Sequence, residues 1–153
     1  MIGIPRFTRD DRGATLVEFA LALPVLLLVL VACLDFARAL NAYVTVANAS
    51  REGAYYATIH PGADPDTIRD EVRARVSPLD ASALLVTATY DSGSGPQAWP
   101  VGGVPQSAPL PAPVVVRVST TYQWRASTWI VGSFFGAAGS RTFGSSSAME
   151  VMR

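Results

Sequence analysis

The rhythm of apolar and polar positions changes along the chain, and each change predicts an element. From Phe19 to Leu34, sixteen residues pass without a charge, and counting back to Ala14 gives 21 interrupted only by Glu18. At about 1.5 Å per residue the longer run spans roughly 31 Å, which matches a hydrocarbon core, whereas the shorter run reaches only about 24 Å. Thirteen Leu, Val and Phe residues lie in this run. At about −0.3 to −0.6 kcal/mol each for central positions they outweigh one acid costing about +3 kcal/mol or less near the end. The pattern therefore predicts a membrane helix over 14–34, with Glu18 just inside the edge of the bilayer and a mild kink at Pro24.

Beyond Leu34 the pattern stays helical but becomes amphipathic. Asp35 to Ile59 holds no proline and one glycine, Gly53, and Phe36, Leu40, Tyr43, Ala47, Ala54 and Ala57 recur at spacings of three and four. That spacing predicts one apolar face on a helix that continues to about 59, where His60-Pro61-Gly62 ends it. His60 reads as a polar residue at a helix C-terminus. A short helix over 65–77 follows, with Asp64 as N-cap, Pro65 at the first position and Ile68, Val72 and Val76 in phase. Its pairs Asp70/Arg73 and Glu71/Arg75 make a solvated face.

Period two then takes over. Strands are predicted near 83–90, 114–124 and 141–152. The middle one is the clearest, because Val114, Val116, Val118, Tyr122 and Trp124 alternate with Arg117, Ser119, Thr121 and Gln123. Gly144 and three serines weaken the last one. Between the first two, 91–113 carries four glycines and six prolines in 23 residues and is expected to be a long, partly mobile loop without a regular ladder, with Trp99 anchoring it. Gly93-Ser94-Gly95 is not a phosphate cradle, because no helix follows it. The predicted fold class is α+β: a long N-terminal transmembrane helix continuing into a small antiparallel sheet domain.

Composition narrows the function. Twelve arginines and no lysine balance twelve acids, so the basic footprint of a nucleic-acid binder is missing. One cysteine and one histidine cannot build a disulfide, a Cys-rich zinc site or a multi-histidine site. No Ser-Lys pair exists without lysine, and the lone histidine sits at a helix end, so an enzyme is not expected. No cofactor, metal or small-molecule substrate is called for. Arg6, Arg9 and Arg12 precede the span while Arg38 alone lies close behind it. The excess of basic residues predicts a cytoplasmic N-terminus and an exported domain after residue 34.

The most informative motif precedes the span. Arg12-Gly13-Ala14-Thr15-Leu16-Val17-Glu18-Phe19 resembles a type IV prepilin processing site, in which a basic leader ends in glycine and glutamate is the fifth residue after the cut. Cleavage after Gly13 would expose an amine on Ala14, one helical turn from Glu18 on the same face. That amine, from the same subunit or a neighbour, would lower the penalty of an acid in lipid and favour a fixed axial offset between packed helices.

Together with Val17-Glu18-Phe19-Ala20-Leu21, Pro24, Leu26-Leu27-Leu28, Arg38, Ala49, Arg51-Glu52-Gly53-Ala54 and Ala57, the motif resembles the TadE-like family over about residues 12–57. Members are minor pilins or pseudopilins of the bacterial tight-adherence (Flp-type) pilus machinery. The resemblance implies a leader over 1–13 removed by a prepilin peptidase between Gly13 and Ala14, and Glu18 and Phe19 as the assembly signature. It also implies a second signature at Arg51, Glu52, Gly53 and Ala54, for which helix surface is an equal reading. The implied partners are the peptidase, other pilins and inner-membrane assembly proteins. The implied location is the inner membrane, single-pass, with the domain of 35–153 outside the cytoplasm. Against this stands a lipoprotein anchored at Cys33, since Leu30-Val31-Ala32-Cys33 has the shape of a lipobox; a plain thiol in a membrane helix is the simpler account.

Overall fold

A computed structural model describes residues 11–104, 113–134 and 139–151. Most of the expected leader, residues 105–112 of the expected loop and Met152 of the last predicted strand lie outside the described residues.

Helix α1 runs unbroken from Asp11 to Ile59, 49 residues with Pro24 inside it, a rod of about 73 Å. Its two halves live differently. Residues 13–30 are all exposed, whereas from Asp35 onward one face is buried. That face consists of Ala42, Val46, Ala49, Ser50, Gly53, Ala54, Ala57 and Thr58. The larger residues expected to face inward do not: Phe36, Leu40 and Tyr43 are half or more exposed. The reason is steric. A face of alanine and glycine lets the sheet approach the helix backbone closely, and bulky side chains in the neighbouring stripe are turned outward.

Helix α2 (Pro65–Ala74) starts where expected but ends three residues earlier than the predicted 77. The chain turns through Arg75, whose N–H donates to Val72 O at 3.2 Å, and Val76 reaches the core from that turn. Ile68, Val72 and Val76 are fully buried. The pairs Arg73–Asp70 (3.5 Å) and Arg75–Glu71 (2.7 Å) lie on the solvated side, where such contacts contribute about 0–1 kcal/mol.

Four antiparallel strands form one sheet in the order β2-β1-β3-β4, with β1 Leu84–Asp91, β2 Gln97–Ala98, β3 Val115–Arg125 and β4 Ser140–Glu150. Residues of β3 alternate as expected, with Val116, Val118, Thr120, Tyr122 and Trp124 inward under α1. Thr120 belongs to this buried row because its hydroxyl donates to the Val46 carbonyl at 3.3 Å. Strand β4 pairs with β3 along its whole length in spite of Gly144 and the serines. Two of those serines find partners: Ser145 bonds Ser50 of α1 at 2.9 Å, and Ser146 accepts from Ser119 at 3.1 Å.

The segment after β1 is more regular than its composition suggests. Thr89 pairs with Ala98 and Tyr90 with Gln97, because Gly93 and Gly95, both at positive φ, allow a turn whose amides donate to the Asp91 carboxylate. Trp99 is the anchor, buried, with its indole N–H donating to Ala63 O at 2.8 Å. The Asp64 side chain does not cap α2; it accepts from Gly102 N at 2.6 Å and so ties the same segment to the helix start. A further element not predicted from sequence, helix α3 (Trp129–Phe134), lies between β3 and β4.

Gly53 is the tightest point of the helix–sheet contact. A Cβ there would overlap Val72 Cγ2 and press on Val118 Cγ1 at 3.2 Å, so α2 and β3 both close on this position. Gly53→Val should destabilise the domain by about 1–3 kcal/mol through overpacking, read as a lower midpoint in denaturant unfolding. An unchanged midpoint would mean that the contact is looser than described.

Candidate functional site

The motif residues and the domain core are served by the same helix but by different parts of it. Gly13 and Ala14 lie in the first turns of α1, and Glu18 and Phe19 follow one turn on, all exposed. A Cβ on Gly13 would meet nothing within 4 Å. Glycine inside a helix costs about 1 kcal/mol against alanine, and packing at Gly13 supplies no offsetting reason. The two glycines of α1 therefore differ in kind: the fold requires Gly53 and leaves Gly13 to some other requirement.

The Arg51–Ala54 stretch divides by face. Gly53 and Ala54 are buried against α2 and the sheet, while Arg51 and Glu52 point outward, and Glu52 approaches Arg75 at 3.6 Å. His60 is exposed, stacks on Tyr56 with ring centroids 4.3 Å apart, and its Nδ1 lies 3.3 Å from the Tyr56 carbonyl.

Sequence reasoning missed the polar centre of the helix–domain junction. Asp35, the first residue after the apolar block, is buried in phase with Ala42 and Val46. Its carboxylate accepts from Ser127 N and Thr128 N at 3.3 Å each and from the Thr128 hydroxyl at 2.9 Å. It thus clasps the foot of the sheet to the helix just where the apolar run stops. Burial alone raises the Asp35 carboxyl, but the donors of Thr128 and Ser127, with Arg38 at 3.7 Å, more than offset it and hold its pKa below the ordinary aspartate value. The available signal was an acid placed directly after the apolar run on a continuing helix, which must find donors if it is buried and stays charged.

Arg38 also borders a cavity of about 710 Å³ with Asn41, Asp80, Tyr122 and Arg125 at the same end of the domain. Asp80 there accepts from Ser82 N at 2.9 Å and from the Ser82 hydroxyl at 2.7 Å, which pulls its pKa down and serves the turn over Ala81–Ala83. Among the described residues no group of three or more His, Cys, Asp or Glu is placed to hold a metal ion.

The geometry defines a class: an α+β domain carried on a single long helix whose N-terminal half is apolar enough to cross a membrane. The family model described as TadE-like protein matches residues 13–54, from the glycine of the N-terminal motif to the alanine of the second one. The resemblance read from the sequence is therefore shown over this segment, about a quarter of the chain. The match covers most of α1 and stops short of the sheet. No curated protein and no solved structure matches the chain.

Removing the clasp exposes its worth. Asp35→Ala leaves two backbone amides without their acceptor and should cost roughly 1–3 kcal/mol. Because the folded-state pKa lies below the unfolded value of about 3.9, the contribution of Asp35 is present above that pH and is lost as pH falls through the folded pKa. Asp35→Asn should accordingly flatten the acid limb of a stability–pH curve. An unaltered acid limb would show that another group governs it.

Proposed function

We propose that this chain is a minor pilin or pseudopilin of a tight-adherence pilus, a structural subunit and a substrate of the prepilin peptidase. The observation that carries the reading is an outward apolar surface along one continuous helix, from Leu16 through the span to Phe36, Leu40, Tyr43, Val44, Tyr55 and Ile59. The sheet covers the opposite, small-residue face of the outer half. Such a helix offers a side-by-side packing surface to other pilins both within lipid and beyond it, through shape and dispersion in the bilayer and through apolar burial outside it. The TadE-like match over 13–54 supports a pilus-associated role and a structural rather than catalytic one.

In this reading residues 1–13 are the leader, Gly13 is the recognition glycine, and the cut before Ala14 creates the amine that neutralises Glu18 on a neighbouring helix. Glu18 then sets axial register, and Phe19 packs beside it. The N-terminus lies on the cytoplasmic side of the inner membrane and the domain outside it, with inner-membrane assembly proteins as further partners. Helix α1 passes through Cys33 without interruption, so a lipid-anchored start at Cys33 would leave a helix rather than a flexible tether after the anchor.

The mature mass tests processing. Gly13→Leu should retain the 13-residue leader, seen by intact mass spectrometry, whereas a native protein beginning at Met1 would contradict the reading. Glu18→Ala should leave insertion and folding intact but lower co-purification with the pilus assembly several-fold; undiminished incorporation would remove the register role.

A further inference from the structure

The end of the domain nearest the span has a composition of its own. Strand β3 descends toward it, and beyond Arg125 the described residues 126–134 and 139–140 carry no charge. The clasp by Asp35 fixes Ser127 and Thr128 at the level where α1 leaves its apolar run. The base of the connection is pinched shut by Ala126 N donating to Gly139 O at 3.0 Å and by the close approach of Gly132 to Gly139, the latter at positive φ. Helix α3 opens directly beyond it with Trp129, whose side chain is 83% exposed although the protein's other two tryptophans, Trp99 and Trp124, are buried. Val31 and Ala32, one turn before Asp35, are half-buried, while Ala14, Ala20 and Ala22 on the same helix are bare. Within the apolar half of the helix, cover therefore begins at this level.

Arginine outnumbers acid at this end: Arg38, Arg125 and Arg141 present exposed side chains there against the exposed Asp80, while Asp35 is buried in its clasp. Glu150 and Asp91 lie at the far end of the sheet, opposite Val115.

We infer that Trp129 and the first turn of α3 lie in the membrane–water interface beside α1, with Arg38, Arg125 and Arg141 at the level of the phospholipid phosphates, giving the domain a second contact with the bilayer. Trp favours this boundary because its ring is apolar and its N–H polar, and arginine meets phosphate through paired donors. The bilayer is the occupant because the surface is continuous with the exit of the span and its charge complements phosphate. The inference rests on the reading that residues 14–34 cross a membrane. It makes the domain a body held against the lipid surface at a fixed tilt.

The test uses the full chain in phosphatidylcholine–phosphatidylglycerol vesicles with bromine-labelled acyl chains, and compares tryptophan emission with that of Trp129→Phe. The difference spectrum isolates Trp129. It should be blue-shifted, quenched at least twofold by bromines near the headgroup, and protected from aqueous iodide. Trp129→Glu should fold normally, as circular dichroism and the buried-tryptophan emission would report, yet leave the domain more accessible to protease at 126–134. Trp129 open to iodide and untouched by bromolipid, in a chain that resists alkaline carbonate extraction, would overturn the interfacial contact while leaving the span intact, and would point to water or a protein partner instead. Extraction by carbonate would instead overturn the span, and the contact with it.

Discussion

The structure depends on a close approach of backbone to backbone along the outer half of α1. Ala42, Val46, Ala49, Gly53 and Ala57 present so little side chain that β3 and α2 reach the helix directly. Burial of Val72, Val116 and Val118 against that face supplies the apolar stabilisation of the domain, at about 1.5–3 kcal/mol for each fully buried large side chain. The same economy turns the bulky residues outward, so a helix that holds a domain on one side remains free on the other.

Two polar seams lock this approach in one position. Ser50 meets Ser145 and Thr120 meets the Val46 carbonyl in the middle of the contact, and the carboxylate of Asp35 gathers the Ser127 and Thr128 donors at its foot. A buried polar group costs free energy unless it is paired, so each seam penalises sliding of the helix along the sheet. Among the described residues no buried side-chain nitrogen or oxygen lacks a partner. A helix locked to its domain in this way transmits any axial displacement of its N-terminal half to the whole domain.

Much of the fold was legible because its signals are long. The apolar run, the absence of proline between Asp35 and Ile59, and the alternation of β3 each extend over many residues and agree with one another. The inward face of α1 was not legible in the same way, because Phe36, Leu40 and Tyr43 repeat at helical spacing just as a core stripe would; only the sheet's demand for small neighbours decides between the stripes. Helix α3 is too short to have a period, and β2 exists through a turn built on Gly93, Gly95 and the Asp91 carboxylate, where composition alone reads a partly mobile loop. Of the motif residues, Gly13 and Gly53 are both helix glycines whose packing the sequence does not reveal, and space around a Cβ separates them. Asp35 was visible as a charge but not as a clasp, since its donors lie more than ninety residues away.

In this structure one helix serves two environments, lipid over residues 14–34 in the proposed reading and the domain's own sheet beyond them. A scan of spin labels along the outward face of α1 from Leu16 to Tyr55, in the full chain reconstituted in bilayers, distinguishes the two. Oxygen accessibility should dominate to Leu34 with a maximum near Leu26, and a water-soluble relaxation reagent should take over by Leu40 while the labels keep helical periodicity throughout. Aqueous accessibility at Leu23 to Leu30, or a lipid signature persisting to Tyr55, would contradict it.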